Sequence, residues 1–456
     1  MTPIKIQDLD EKRFNVLAAH TRSPGAHYCS KEIAWYSNQD ESILGIILLD
    51  TIDKDFVSIV LGMDENKKYR AFDLETSIET QEEAYNWVIG AMKWHTGSGK
   101  KIFPQNMPGK GLNLFTPILS IKKQHPYFVK LTKEDHFFSA KSVINRMMPH
   151  FEDIDGNFVE QFQSTGFDSR LWELYLFSYF SEENLFIRRD HHAPDFMVMK
   201  YGKVVAIEAV IVGRKNGNAV KYLEDPKKPL SLKEIMEALE NSMPIKFGSP
   251  LYSKLKKEYW KLDHVKGKPL VFAIADFHDD QSMVWSSTAL IQYLYGFKQE
   301  PFYDSKGKLI INPVKIKSHK LDGKEIPSGY FFQTDTENIS AVLFSASGTI
   351  SKFNRLGRQA GFTNSKVIMT RIGSCHDHDP NSIIPKLFKY EVNENSSETW
   401  AEGLSMFHNP NALYPVPPEL FPTIAHHYFD NGQIKSYLPD FHPYSSRTLN
   451  VIIRDN

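Results

Sequence analysis

The sequence has very little cysteine, no long apolar run and almost no net charge. Cys29 and Cys375 are its only cysteines; two are too few for a disulfide framework, and their scarcity favours a reducing compartment. No apolar stretch approaches the roughly 18 residues that mark a membrane-spanning helix. Charged residues occupy the N-terminus, where a signal peptide would have an apolar core. These features predict a cytoplasmic protein with no membrane partner.

The charge balance does not point to a nucleic-acid-binding protein by itself. The formal net charge is −1, and 41% of the residues are hydrophobic, which favours a folded globular chain. The near-zero net charge hides a local excess of positive charge, because residues 213–268 contain 13 Lys or Arg and 7 Asp or Glu, a difference of +6. Such a segment could attract a phosphate backbone through counterion release. Alternating lysine and glutamate within it is also typical of a solvated helix surface.

The stretch 193–210 carries the main structural signal. Two apolar, β-favouring runs flank Tyr201 and Gly202. Glycine at the second loop position suits a two-residue turn in which both central residues need a positive φ. The pattern predicts a tight antiparallel hairpin, and pairing outward from the turn places Asp195 opposite Glu208.

Glu208 interrupts a strand that is otherwise apolar on both faces, from Val204 to Val212. This pattern is typical of a strand covered on both sides. On the predicted register, Asp195 and Glu208 face each other at about 4.5–5.5 Å. Buried carboxylates so placed must be protonated, paired with a cation or bound to a metal. We interpret them as a site for Mg²⁺ or Mn²⁺, which prefer oxygen ligands.

A third acid, Glu173, lies in the run 171–180, which is apolar apart from Glu173 and Ser178. A helix that is apolar nearly all round is an inner helix, so Glu173 also needs a partner within the fold. The chain thus contains an acidic helix, a Pro-Asp pair at a strand start and a glutamate in a central strand. Over residues 165–275 this order resembles the PD-(D/E)XK restriction-endonuclease-like superfamily.

The resemblance implies a metal site that activates water against a phosphodiester bond. Asp195 and Glu208 would hold the metal, and Glu173 would help directly or through water. The residue two after the glutamate is usually lysine in that superfamily, and here it is Val210. The difference implies an inactive site, catalysis by the metal alone, or a lysine delivered from elsewhere. Lys254 is the preferred substitute.

The choice of Lys254 depends on a predicted helix. Ser249 as N-cap and Pro250 at the first helical position predict a helix start. Lys254 and Lys256 flank its apolar stripe, and Lys254 is nearer the N-terminus; Lys203 is a weaker candidate because it lies next to the turn. The predicted stripe consists of Leu251, Leu255, Tyr259 and Leu262.

The predicted fold class is α/β, or α+β overall. A restriction-endonuclease-like mixed sheet flanked by helices forms the core, preceded by a small antiparallel α+β unit and followed by an α/β extension. The first unit contains strands near 42–49, 55–61 and 69–74 and a helix opened by a capping box at Thr80. The predicted divisions are an N-terminal domain at 1–96, linker and edge elements at 97–130, the nuclease-like core at 131–300 and the C-terminal extension at 301–456.

The implied function is metal-dependent cleavage of nucleic acid, with double-stranded DNA as the expected substrate. A part in bacterial defence is implied by analogy only, and a protein partner or homodimer is left open. One alternative is a non-catalytic nucleic-acid-binding or assembly subunit. Another is a two-carboxylate hydrolase acting on sugars, which loss of the hairpin register would favour. A purely structural acid pair, neutralised by Arg188, Arg189 or Arg214, is the third.

Overall fold

The computed structural model describes residues 4–106, 112–214, 231–280, 282–345, 347–364 and 366–453. Part of the basic segment, residues 215–230, and part of the linker, residues 107–111, lie outside these ranges. The chain combines helices with several sheets, the largest of which is mixed and eight-stranded, so the predicted α+β class is confirmed. Of the helices in the described ranges, none is both long and apolar enough to cross a membrane.

The N-terminal region forms an antiparallel sheet in which each strand pairs with the next along the chain. Helix α1 (Glu11–Ala18) connects its first two strands, and α2 (Gln81–Gly97) packs on the sheet. The predicted capping box is present, with the Thr80 side chain and Glu83 satisfying each other's backbone N–H groups. The three predicted strands correspond to the last three of the sheet. The strands are β1 (Ile6–Asp8), β2 (Ser30–Asn38), β3 (Ile43–Asp50), β4 (Phe56–Met63) and β5 (Tyr69–Ile78).

Four helices form a layer between this region and the largest sheet. Every residue from Leu171 to Phe180 is buried, which confirms the predicted inner helix. The cause is packing on both sides, because this helix contacts the other helices of the layer and the sheet within one hydrophobic core. The helices are α3 (Pro126–Lys133), α4 (Phe138–Met147), α5 (Phe158–Gln163) and α6 (Phe167–Glu182).

The remaining elements follow along the chain from residue 186. The first group is β6 (Phe186–Arg188), β7 (Phe196–Lys200), β8 (Lys203–Val212), α7 (Leu232–Glu237), α8 (Met243–Leu255), β9 (Leu270–Asp276) and α9 (Ser287–Tyr295). The second group is β10 (Phe297–Tyr303), β11 (Leu309–Lys315), β12 (Ser318–Leu321), β13 (Lys324–Pro327), β14 (Ala341–Ser345), α10 (Ile350–Gln359), β15 (Val367–Cys375), β16 (Lys386–Glu391), β17 (Leu404–His408), β18 (Ala425–Asp430), β19 (Gln433–Tyr437) and β20 (Pro443–Ile452).

The largest sheet has the strand order β19-β18-β17-β14-β9-β8-β7-β6. Strands β6, β7 and β8 form an antiparallel meander, whereas β8, β9 and β14 run parallel. Helices α3 to α6 cover one face, and α8 and α9 cover the other. Half of the strands lie after residue 300, so the sheet continues into the region that the sequence analysis assigns to the C-terminal extension.

The hairpin formed by β7 and β8 has the predicted turn and register. Tyr201 and Gly202 form the loop with φ angles of 53° and 72°, and both values are positive as a two-residue turn of this kind requires. Phe196 pairs with Ile207. The register therefore leaves Asp195 as the next residue outward on the first strand.

The predicted start of the helix that carries Lys254 is wrong. Helix α8 does not begin at Ser249 but at Met243, with Pro244 in its first turn, so Pro250 lies inside the helix. An interior proline costs about 3 kcal/mol or more. Burial compensates for this cost, because each large apolar side chain removed from water contributes about 1.5–3 kcal/mol. The buried stripe extends upstream at helical spacing and consists of Met243, Phe247, Leu251 and Leu255.

Replacing Gly202 by alanine tests the hairpin turn. An added Cβ would meet no other atom within 4 Å, so only the left-handed backbone is strained, at about 1–2 kcal/mol. We expect Gly202→Ala to lower the urea midpoint, measured by circular dichroism. Gly90→Ala is the matched control, since a Cβ there also meets open space but lies within α2, where alanine is favoured by about 0.5–1 kcal/mol. Equal midpoints for both variants would contradict the turn.

Candidate functional site

The hairpin brings Asp195 and Glu208 together where β7 begins. The backbone N–H of Asp195 donates to Glu208 Oε2 at 3.3 Å, and the backbone N–H of Ala209 donates to Asp195 Oδ2 at 2.7 Å. Glu208 is buried, with 4% of its surface exposed, and Asp195 is partly buried. The two acids are thus neighbours inside the sheet, as the register predicts.

Two donors reach Glu208 from helix α8 and the turn after it. Lys254 Nζ forms an ion pair with Glu208 Oε1, and the hydroxyl of Tyr259 donates to the same oxygen at 2.8 Å. The sequence pattern places Tyr259 only in the apolar stripe and does not predict this contact. A buried tyrosine usually needs a hydrogen-bond partner, and that requirement was the available signal. Leu262, predicted in the same stripe, is instead 37% exposed.

The surroundings of Asp195 disfavour the charged form of its carboxyl. Burial, and then the negative charges of Glu208 and Glu173, hold the pKa of Asp195 well above its usual range. The Ala209 N–H and the charge of Lys254 act in the opposite direction. Asp195 therefore retains a proton to a higher pH than an exposed carboxyl does, unless a further cation approaches it.

Glu173 has different partners. It is 2% exposed on α6 and accepts hydrogen bonds from Arg170 Nη1 at 2.7 Å and from Arg189 Nη2 at 3.2 Å. Burial raises the pKa of Glu173, and the two arginines oppose that effect. Arg170 was missed by the sequence analysis, although its position three residues before Glu173 on a helix places both side chains on one face.

The alternation of side chains along β8 explains why Glu208 and Glu173 have different partners. Ile207 packs in the core formed with α6, whereas Val210 packs in the core formed with α8 and α9. Glu208 shares the face of Val210 because successive side chains point to opposite faces, and Glu173 comes from the helix on the other face. Among the residues that the structure describes, no group of three or more His, Cys, Asp or Glu side chains could hold a metal ion. Asp195, Glu208 and Glu173 are therefore not arranged as three direct ligands of one metal ion.

The other candidate lysines contact different groups. Lys203 pairs with Glu419 beside the turn. Lys256 is exposed, with its ammonium 4.9 Å from the ring centroid of Tyr252. Lys254 is thus the candidate that the structure brings to Glu208.

Two of the three arginines considered as neutralising groups pair with other acids. Arg188 pairs with Asp190 at 2.5 Å. Arg214 pairs with Asp168 at 3.3 Å and with Asp280 at 2.5 Å. Arg189 does neutralise a predicted site acid, but that acid is Glu173, described above.

A small cleft opens beside the acid pair. It lies between the start of α6, the loop before α5 and the segment that precedes β7. The cleft walls combine acidic and basic groups. They include Asp153, Asp155, Arg170, Arg189, His192 and Asp195.

Comparisons of this chain with protein-family models, curated proteins and solved structures found no match. Asp195 and Glu208 fit a divalent cation in ligand type, since Mg²⁺ is commonly held by one or two carboxylates and completes its shell with water or substrate phosphate. A cation there would also oppose the burial and the neighbouring negative charges that raise the pKa of Asp195.

Replacing Asp195 by asparagine should stabilise the protein at neutral pH. Because the folded-state pKa of Asp195 is raised, its contribution to stability is complete below its unfolded pKa of about 3.9. That contribution is lost as the pH rises through the folded value, and one pKa unit corresponds to about 1.4 kcal/mol. We expect the urea midpoint of Asp195→Asn to exceed that of the wild type near pH 7, with the gap closing in acid.

The matched control for this titration is Glu300→Gln on β10. Glu300 is exposed and pairs with Lys298 at 3.4 Å, so the substitution should leave the midpoint nearly unchanged at every pH. A wild type that is more stable than Asp195→Asn at pH 7 would contradict the expectation that the ionised Asp195 carboxylate destabilises the folded protein.

Proposed function

We propose that this chain is a divalent-metal-dependent endonuclease that hydrolyses phosphodiester bonds in double-stranded DNA. Asp195 and Glu208 would hold Mg²⁺ or Mn²⁺. The observation that carries the proposal is the ion pair between Lys254 and Glu208. It supports Lys254 as the substitute for the lysine that the resembled superfamily usually has at the position of Val210. A part in defence against foreign DNA is included in the proposal only through that resemblance.

The residues around Glu208 have different roles in this proposal. A bound divalent ion would supply a Lewis acid that lowers the pKa of water and stabilises negative charge on the phosphate. Lys254, whose side chain is 27% exposed, can reach both Glu208 and a solvent-borne phosphate. Tyr259 holds the Glu208 carboxylate in a fixed orientation through its hydroxyl. Asp195 would bind the ion as a carboxylate, because the positive charge of the ion would oppose the burial and the neighbouring negative charges that raise its pKa.

A second candidate function is a non-catalytic nucleic-acid-binding or assembly subunit. The observation that favours it is that both oxygens of Glu208 already accept hydrogen bonds within the protein, from Lys254, Tyr259 and the Asp195 backbone. A carboxylate so satisfied can be purely structural. The sugar-hydrolase alternative gains no support from the hairpin, because the register whose loss would favour that alternative is present.

Cleavage assays on plasmid, linear DNA, single-stranded DNA and RNA test the proposal. The wild type should cut DNA when Mg²⁺ or Mn²⁺ is present, and Asp195→Ala and Glu208→Ala should each abolish cutting because each removes a metal ligand. Glu300→Gln should keep wild-type activity. Equal cutting by all four proteins would place the activity elsewhere, and salt-sensitive binding without cutting would favour the non-catalytic candidate.

Substitutions of Lys254 separate a catalytic lysine from catalysis by the metal alone. Lys254→Ala should lower kcat by about 10²–10³-fold, as the loss of one group that stabilises transition-state charge does in other enzymes. Lys254→Arg should recover part of that loss because it keeps the charge. Lys256→Ala, an exposed neighbour on the same stretch, should match the wild type. An unchanged kcat for Lys254→Ala would show that the lysine is dispensable.

A further inference from the structure

Glu173 holds two guanidinium groups at the cleft beside Asp195. Both Arg170 and Arg189 donate to its carboxylate and both line the cleft. One arginine suffices to neutralise one carboxylate, so the arrangement leaves a net positive charge on this wall. A pair of arginines on one buried acid is therefore a feature that neutralisation alone does not explain.

Arg189 retains donors with no acceptor. Its side chain is 10% exposed, and within the described structure its Nε and Nη1 have no hydrogen-bond partner. The guanidinium lies 3.9 Å from the ring centroid of Phe151 and 4.8 Å from that of Phe196. Aromatic faces stabilise a cation, but an unmade hydrogen bond at a buried donor costs about 1–3 kcal/mol. The two rings thus hold the Arg189 guanidinium in place, while its Nε and Nη1 have no acceptor within the described structure.

Arg170 presents a more accessible guanidinium to the same cleft. Its side chain is 18% exposed and lies over Phe158 at 5.2 Å. Its Nη1 donates to Glu173, and its Nη2 donates to Asn157 at 3.1 Å. These contacts orient the group while leaving part of it open to solvent.

The two cleft acids on the loop before α5 already have hydrogen-bond partners within the protein. Asp153 accepts the backbone N–H groups of Gly156 at 2.9 Å and of Phe158 at 3.0 Å. Asp155 pairs with His192 at 2.7 Å. Arg170 and Arg189 contribute permanent positive charge to the cleft wall, and an anion is the kind of ligand that matches guanidinium groups.

We propose that Arg170 and Arg189 bind a phosphate of the nucleic-acid backbone beside Asp195, and that Glu173 is a positioning residue that orients both guanidiniums. The inference rests on the proposed function, because the cleft opens next to the proposed metal site. The planar fork of arginine matches two phosphate oxygens. Such contacts fix the register of a nucleic acid without reading its sequence.

The test is DNA binding by the full chain, measured by fluorescence anisotropy with a short fluorescein-labelled duplex in EDTA over a range of salt concentrations. Arg170→Gln should weaken binding and reduce the slope of log K against log salt by about 0.9, the value for one lost phosphate contact. The matched control is Arg13→Gln, which removes a similarly buried arginine, 20% exposed and paired with Glu41. The control should leave the slope unchanged.

Two further variants separate binding from folding. Arg170→Lys keeps the charge but not the fork, so it should retain the slope and weaken binding by about tenfold, equivalent to one charged hydrogen bond. Glu173→Gln keeps the size of the side chain and removes its charge, so it should weaken binding while Asp195 and Glu208 remain intact. Wild-type affinity in both Arg170→Lys and Glu173→Gln would overturn the inference, whatever result Arg170→Gln gives.

Cleavage and binding can fail independently. A wild type that cuts DNA, combined with an unchanged salt slope for Arg170→Gln, would overturn the phosphate cleft and leave the endonuclease proposal standing. A reduced slope without any cutting by the wild type would support the cleft and refute the endonuclease. Absence of duplex binding by the wild type at low salt would overturn the cleft as a backbone site.

Discussion

Repulsion between two carboxylates inside a covered sheet is the constraint on which the candidate site depends. Asp195 and Glu208 are neighbours because the hairpin register makes them so. Their charges cannot be solvated freely where the sheet is covered on both faces. The nearby ammonium of Lys254 and the hydroxyl of Tyr259 compensate Glu208. Asp195 accepts the backbone N–H of Ala209, but burial and then the neighbouring acids hold its pKa above the usual range.

Helices on the two faces of the sheet supply different side chains near the start of β7. Helix α8 supplies a lysine to the acid pair, whereas α6 supplies Glu173 and Arg170. Because the acids on β8 and α6 project from different layers, they serve separate groups of partners. A cation beside Asp195 and a phosphate beside the arginines would then occupy adjoining places. In this proposal, Glu173 orients the two arginines that donate to it.

Much of the local structure follows from the sequence. The turn at Tyr201 and Gly202 and the register beyond it are set by a period of two residues and by turn chemistry, both of which act over a few positions. The inner helix α6 is evident from its apolar run. The start of α8 was mispredicted because Ser249 and Pro250 satisfy the local rule for a helix start, while burial of an upstream apolar stripe overrides it.

The sequence by itself determined the α+β class, the hairpin and the proximity of Asp195 to Glu208. Only the tertiary structure decided that Lys254 meets Glu208, 46 positions earlier in the chain, and that Glu173 meets Arg189. The physical reason is that local rules specify which face of an element is apolar. They do not specify which groups the polar side chains beside that face contact once the face packs against another layer.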